Sequence, residues 1–242
     1  MADEAAMSGT VGSTVTHRAL DGRRYELSGR LDLGGPATSA IGVLVGGRLH
    51  ELTAGPAGLG ADVAAATGVG GFDEELSFQG GTLRIGRTSH YDAGIRLAEQ
   101  VLLAVWQGRQ HCLTLRLYGA GTVEAVALLR TLRITERADG ITVRPRPGSG
   151  ARLADAATLT KQVPGLGLLE VSARTAAHAA ALPGWQGVTT TAGELFRDTL
   201  GDGSPYFVLA GPDTWTTVLP LADTVVAQVP ALAGRLALRA VG

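Results

Sequence analysis

The sequence predicts an α+β fold dominated by antiparallel strands: a strand meander with a packed helix, then a smaller second α+β unit. Three observations carry this expectation. Apolar and polar residues alternate in short runs, the period of half-buried strands. Glycine pairs and other turn residues separate many of those runs by two or three positions, the spacing of hairpins. Stretches with the three-and-four spacing of an amphipathic helix are few and short.

Taken in order, residues 1–12 are small, acidic and without period, which predicts a disordered tail, with order beginning near Val15. Over 24–33, Tyr25, Leu27, Leu31 and Leu33 alternate with Arg24, Glu26, Ser28, Arg30 and Asp32, so one row meets a core and the other meets water. Strands at 41–45 and 48–52 flank Gly46-Gly47, which suits a tight hairpin. A short helix at 59–67 ends at Gly68. Strands at 75–78, 82–87, 95–106 and 110–118, with turn residues between several of them, make the meander. Thr122 is placed to cap a helix running to Arg130, with Ala125, Leu128, Leu129 and Leu132 along its buried face. Strand alternation returns at 132–135 and 141–144 across Asp139-Gly140.

Two prolines and two glycines in Pro145-Arg146-Pro147-Gly148-Ser149-Gly150 disfavour helix and central strand alike. They divide the chain into a strand-rich α+β domain at 13–147, a linker at 148–150 and a smaller α+β domain at 151–242. The latter is expected to hold strands at 168–171, 206–210, 214–219 and 235–241, and helices at 175–182 and 221–232, the second bent at Pro230. A faint likeness of element order between the halves has no residue-level match behind it.

Composition narrows the class. With 242 residues and 45% apolar content the chain can bury its own core without staples. The one cysteine, Cys112, excludes an internal disulfide and sits in an apolar alternating run, where a buried thiol is expected. The N-terminal residues lack the basic and apolar regions of a secretory signal, and the longest apolar run, 101–106, is far short of the ~18 residues a bilayer span needs. A soluble, cytoplasmic protein that crosses no membrane is the expectation. Lys161 is the only lysine among 21 cationic residues, a bias that suggests a GC-rich bacterial genome and cautions against reading every arginine as functional. Charge is uneven: residues 81–152 carry eleven arginines against five acids, whereas both flanking regions are net acidic.

No local motif points to catalysis. Gly55-Pro56-Ala57-Gly58-Leu59-Gly60 follows a strand and opens a helix, but its spacing and its lack of Lys and Ser/Thr do not fit a phosphate loop. The strand before it carries Arg48, His50 and Glu51 where a parallel core strand would be uniformly apolar. Ser89, His90 and Asp92 are triad residue types too close in sequence to converge, and they suit a polar turn. His17, His50, His90, His111 and His178 lack the local spacing of metal ligands. No cofactor or metal is therefore expected.

The arginines of the middle third offer the sharpest partner hypothesis. Arg84, Arg96, Arg116, Arg133 and Arg144 occupy polar strand positions, so on one sheet they would line a cationic face. Nucleic acid is a disfavoured partner, because stacking aromatics and binding motifs are missing and the pI is near 6.5. Trp185 and Trp215, with Tyr206 and Phe207 nearby in sequence, could anchor a protein, or could simply fill the core of the second domain. The working expectation is a non-enzymatic protein-interaction or assembly module that contacts other subunits, of its own kind or another. Its alternatives are an enzyme or small-ligand binder with a dispersed site, starting from His90, Asp92, Arg84 and Arg96, and anion binding through the arginine-rich third.

Overall fold

The computed structural model describes residues 12–92, 97–222 and 224–241. The expected tail lies almost wholly outside them, as do Ile95 and Arg96. The chain enters through a hairpin of β1 (Ser13–Arg18) and β2 (Arg24–Gly29), which buries Tyr25 and Leu27. β3 (Ala37–Val45) and β4 (Arg48–Pro56) form the second hairpin, and φ angles of 56° and 80° at Gly46 and Gly47 explain why glycine stands at both turn positions. α1 (Leu59–Thr67) follows and ends at Gly68.

The meander comes next: β5 (Glu74–Phe78), β6 (Gly81–Asp92), β7 (Leu97–Gln107) and β8 (His111–Tyr118), each antiparallel to its successor. α2 (Thr122–Arg130), β9 (Leu132–Arg137) and β10 (Gly140–Pro145) complete the first part of the chain. Beyond it lie β11 (Arg152–Leu153), β12 (Thr158–Val163), β13 (Gly167–Ala173), α3 (Ala176–Ala180), β14 (Val188–Thr190), β15 (Gly193–Thr199), β16 (Pro205–Ala210) and β17 (Thr214–Leu219). A 3-10 turn, Val226–Gln228, leads into α4 (Val229–Ala233) and then β18 (Leu236–Val241).

These strands make two sheets. The larger has 13 strands, with β14-β15-β16-β17-β13-β12-β3-β4-β8-β7-β6-β5 in line and β11 paired to β3. The smaller runs β18-β2-β1-β10-β9, antiparallel except for the β1–β10 contact. On either side of residues 148–150 the chain shares sheets, since β11 and β12 pair with β3, and β18 pairs with β2. One continuous core lies between the sheets, with Tyr25, Leu27, Ile141 and Val143 from the small sheet against Ile41, Leu52, Leu83 and Leu115 from the large one. α2 joins that core through Ala125, Leu128 and Leu129. α1 instead covers the opposite face of the large sheet, over Leu103, Val105 and Cys112. A Cβ at Gly60 would lie 2.6 Å from Val105 Cγ1, so this glycine lets the helix sit close on the sheet.

Several expectations change in detail. The cap of α2 is Gly121, whose N–H donates to the Glu124 carboxylate at 3.0 Å; Thr122 instead donates to Glu74 at 2.7 Å. The run Ser89-His90-Asp92 continues β6 and is no turn, because all three positions pair with β7. The helix expected at 221–232 shrinks to the 3-10 turn and α4, with Pro230 in the first turn of the helix, where its missing N–H costs nothing. α3 is likewise shorter than expected, capped by Thr175 and ended ahead of Pro183. β12 and β15 are strands that periodicity did not single out.

Candidate functional site

The arginines divide between the two sheets. Arg133 and Arg144 face each other across β9 and β10 and are exposed on the outer side of the small sheet. Arg84 and Arg116 lie on the α1 side of the large sheet, opposite Val105 and Leu103 of β7. The reason is topological: after α2 the chain leaves the meander, and β10 joins β1. Arg84 is further absorbed locally, with its guanidinium 4.8 Å over the Phe72 ring and 3.4 Å from Gln107 Oε1. His90 and Asp92 sit at the far end of β6, and their side chains, like Arg96, lie outside what is described. Trp215 stacks on His178 at 4.7 Å and packs beside Phe196, Val208 and Ala210, while Trp185 is 60% exposed before β14.

Among the described residues two concavities stand out, and they differ in how their charges are used. The first, about 390 Å³, opens between the sheets and is lined by His17, Arg18, Ser39, His111, Asp139 and neighbours. Arg18 donates twice to Asp139, at 2.8 and 3.0 Å, and His111 Nδ1 lies 3.3 Å from Glu136. Nearby, Lys161 is 1% exposed, and its ammonium donates to the Gly35 carbonyl. His17 is held at a pKa of about 4, by burial first and the Lys161 charge second, and its Nε2 is buried without a partner. Most of the charged groups here are thus engaged within the protein.

The second concavity is a cleft of about 950 Å³ inside the large sheet. It exists because the β4–β8 ladder stops at the Leu52–Leu115 pair while both strands run on. Arg48–Glu51 stay with β3, and Arg116–Tyr118 stay with β7, so two strand edges face each other across a gap. α1 lines one side through Val63, Ala66 and Thr67, and α2 the other through Glu124, Ala127 and Leu128. By strand alternation, Leu49, Glu51, Thr53, Thr114, Arg116 and Tyr118 share the α1 face, whereas His50 and Leu117 share the α2 face.

Glu124 is engaged with the Gly121 N–H, but the cleft's other charges are unspent. Among the described residues, neither Arg48, Glu51 nor Arg116 has a side-chain hydrogen bond or an ion pair. Burial, followed by the Arg48 charge, lowers the pKa of His50 below the ordinary imidazole value. Leu49, at 64%, and Tyr118, at 50%, are among the exposed large apolar side chains of the described residues. Alternate residues of each open strand segment also point N–H and C=O groups into the gap. The cleft thus combines both signs of charge, apolar walls and free backbone edges.

Among the described residues of the cationic set expected from sequence, Arg116 is the one that lines this cleft. Arg48, His50 and Glu51 were visible in the sequence as polar residues in an unsuitable strand, but not as a site. Among the described residues no group of three His, Cys, Asp or Glu side chains could hold a metal ion, and no helix is long and apolar enough to cross a membrane. Compared with known proteins, the chain matches no family model, no curated protein and no solved structure.

Proposed function

We propose that the chain is a non-enzymatic interaction protein that seats its ligand in the cleft between β4 and β8. The observation that carries this is the end of the ladder at Leu52–Leu115, which leaves two strand edges and unpaired charges around about 950 Å³ of space. That volume lies at the upper end of the range of binding sites for organic ligands. The inter-sheet concavity is smaller, and across it the Glu136 carboxylate of β9 already ties the two sheets together by accepting from the N–H groups of Arg109, Gln110 and His111, so it serves the fold.

The test is a fragment screen by NMR on the full chain, with a blocked control. Ala66 and Ala127 are exposed and line opposite walls of the cleft, so Ala66→Trp or Ala127→Trp fills it without entering the core. Hits are expected to shift the amides of Thr53, Thr114 and Arg116 and to lose binding in both variants. Hits that cluster elsewhere, or that bind the blocked variants equally well, would overturn the proposal.

A further inference from the structure

We infer that the natural occupant of the cleft is an extended segment of a partner protein, inserted as an additional strand between β4 and β8. The inference rests on the cleft being the binding site and adds what fills it. A sheet interrupted between two parts that each remain paired presents hydrogen-bonding edges on both sides of one gap, and an extended backbone is the ligand whose donors and acceptors repeat at the spacing of such edges. Size agrees. One strand residue occupies a cell of about 3.4 by 4.8 by 10 Å, roughly 160 Å³, so the cleft's 950 Å³ accommodates about six residues. The open runs, Arg48–Glu51 and Arg116–Tyr118, would pair with the central part of such a segment.

Side-chain chemistry sets its pattern. One row of the inserted strand faces Leu117 and Leu128, which favours apolar side chains, and the alternate row lies beside Glu51 and Arg116, which favours a base and an acid respectively. The segment is therefore amphipathic with period two and carries charges of both signs on one row.

Selection of random octapeptides displayed against the full-length chain tests this. The expected consensus alternates apolar and polar positions, and binding falls at least tenfold in Ala66→Trp. N-methylation of successive central amides should then weaken binding tenfold or more at residues of either row, because an inserted strand donates to both edges. Arg116→Glu should exchange the preferred acid for a base at one position. Peptides whose affinity survives N-methylation, or a cleft that binds fragments but selects no peptide, would overturn strand insertion and leave the cleft as the binding site. Failure of fragments and peptides alike would overturn both.

Discussion

His17 supplies a quantitative test of how the two sheets meet. Its imidazole faces the inter-sheet space, where burial and then the Lys161 ammonium hold its pKa at about 4, against 6.5 for the free group. At neutral pH folded and unfolded chains both carry a neutral ring, so the shift contributes nothing. As pH falls below 6.5 the unfolded chain takes up a proton that the folded chain refuses, and stability is lost until the folded ring itself titrates near 4. Each pH unit of difference is worth about 1.4 kcal/mol, which sets a ceiling of about 3.4 kcal/mol for this window. Because His17 is only half-buried, solvent screening lowers the expected loss to about 2 kcal/mol. His17→Phe keeps a ring in place and removes both the titration and a buried nitrogen that has no partner. Urea unfolding of both proteins from pH 7 to pH 4 should therefore show the wild type losing about 2 kcal/mol relative to the variant, nearly all of it below pH 6.5. Parallel curves for the two proteins would refute the placement of His17 beside a buried cation.

Three further outcomes are expected. Lys161 has a pKa below 10.5 because of burial, so wild type should gain stability on Lys161→Met as pH rises toward 10.5 and lose it as pH falls; the same urea series at alkaline pH checks the sign. Gln79 bonds Leu129 O, Leu132 O, Ile134 N and the Arg146 guanidinium at 2.9–3.3 Å, pinning the β5–β6 turn to the end of α2 and the start of β9. Gln79→Ala should cost about 2 kcal/mol in equilibrium unfolding, since Leu129 O and Ile134 N lose the bonds to its amide while Leu132 O keeps Arg146 Nε as a donor. Glu136 accepts from the N–H groups of Arg109, Gln110 and His111 at 2.8–2.9 Å, and these donors outweigh burial to lower its pKa. Its contribution is present above the ordinary glutamate value and disappears as pH falls through the lowered one, so Glu136→Gln should remove that dependence and speed hydrogen exchange at those three amides.

Much of the fold follows from local pattern. The β3–β4 hairpin and the β5–β8 meander are legible because Gly46-Gly47 and Gly80-Gly81 punctuate alternating runs, and the covalent neighbours are also the spatial ones. What local pattern could not convey is which distant strands pair. β12 bonds to β3 across more than a hundred residues, and its core-facing row reads Leu159, Lys161, Val163, so a buried lysine breaks the signal of a half-buried strand. The strand β1 is similarly masked, because His17 stands on its inward row. The arginine face failed to assemble from Arg84, Arg116, Arg133 and Arg144 for the same reason: sheet membership is a long-range property, and β9 and β10 joined the other sheet.

The cleft did leave a trace in the sequence, although its meaning needed the topology. β4 lies near the middle of a sheet of 13 strands, with helices over both faces near it, and a central strand so covered should be apolar along its length. Its second half obeys, with Leu52, Ala54 and Gly55 buried, but its first half reads Arg48-Leu49-His50-Glu51. β8 shows the complementary change, from Cys112–Leu115 buried on both faces to Arg116 and Tyr118 exposed. Both transitions fall at the last rung of the ladder. Twist accumulates from strand to strand, and open sheets beyond about 10 strands tend to split or curl, so a divergence somewhere in this sheet is physically expected. Polar residues on both banks make the opening stable in water at one place, and that is why the unpaired edges lie between β4 and β8.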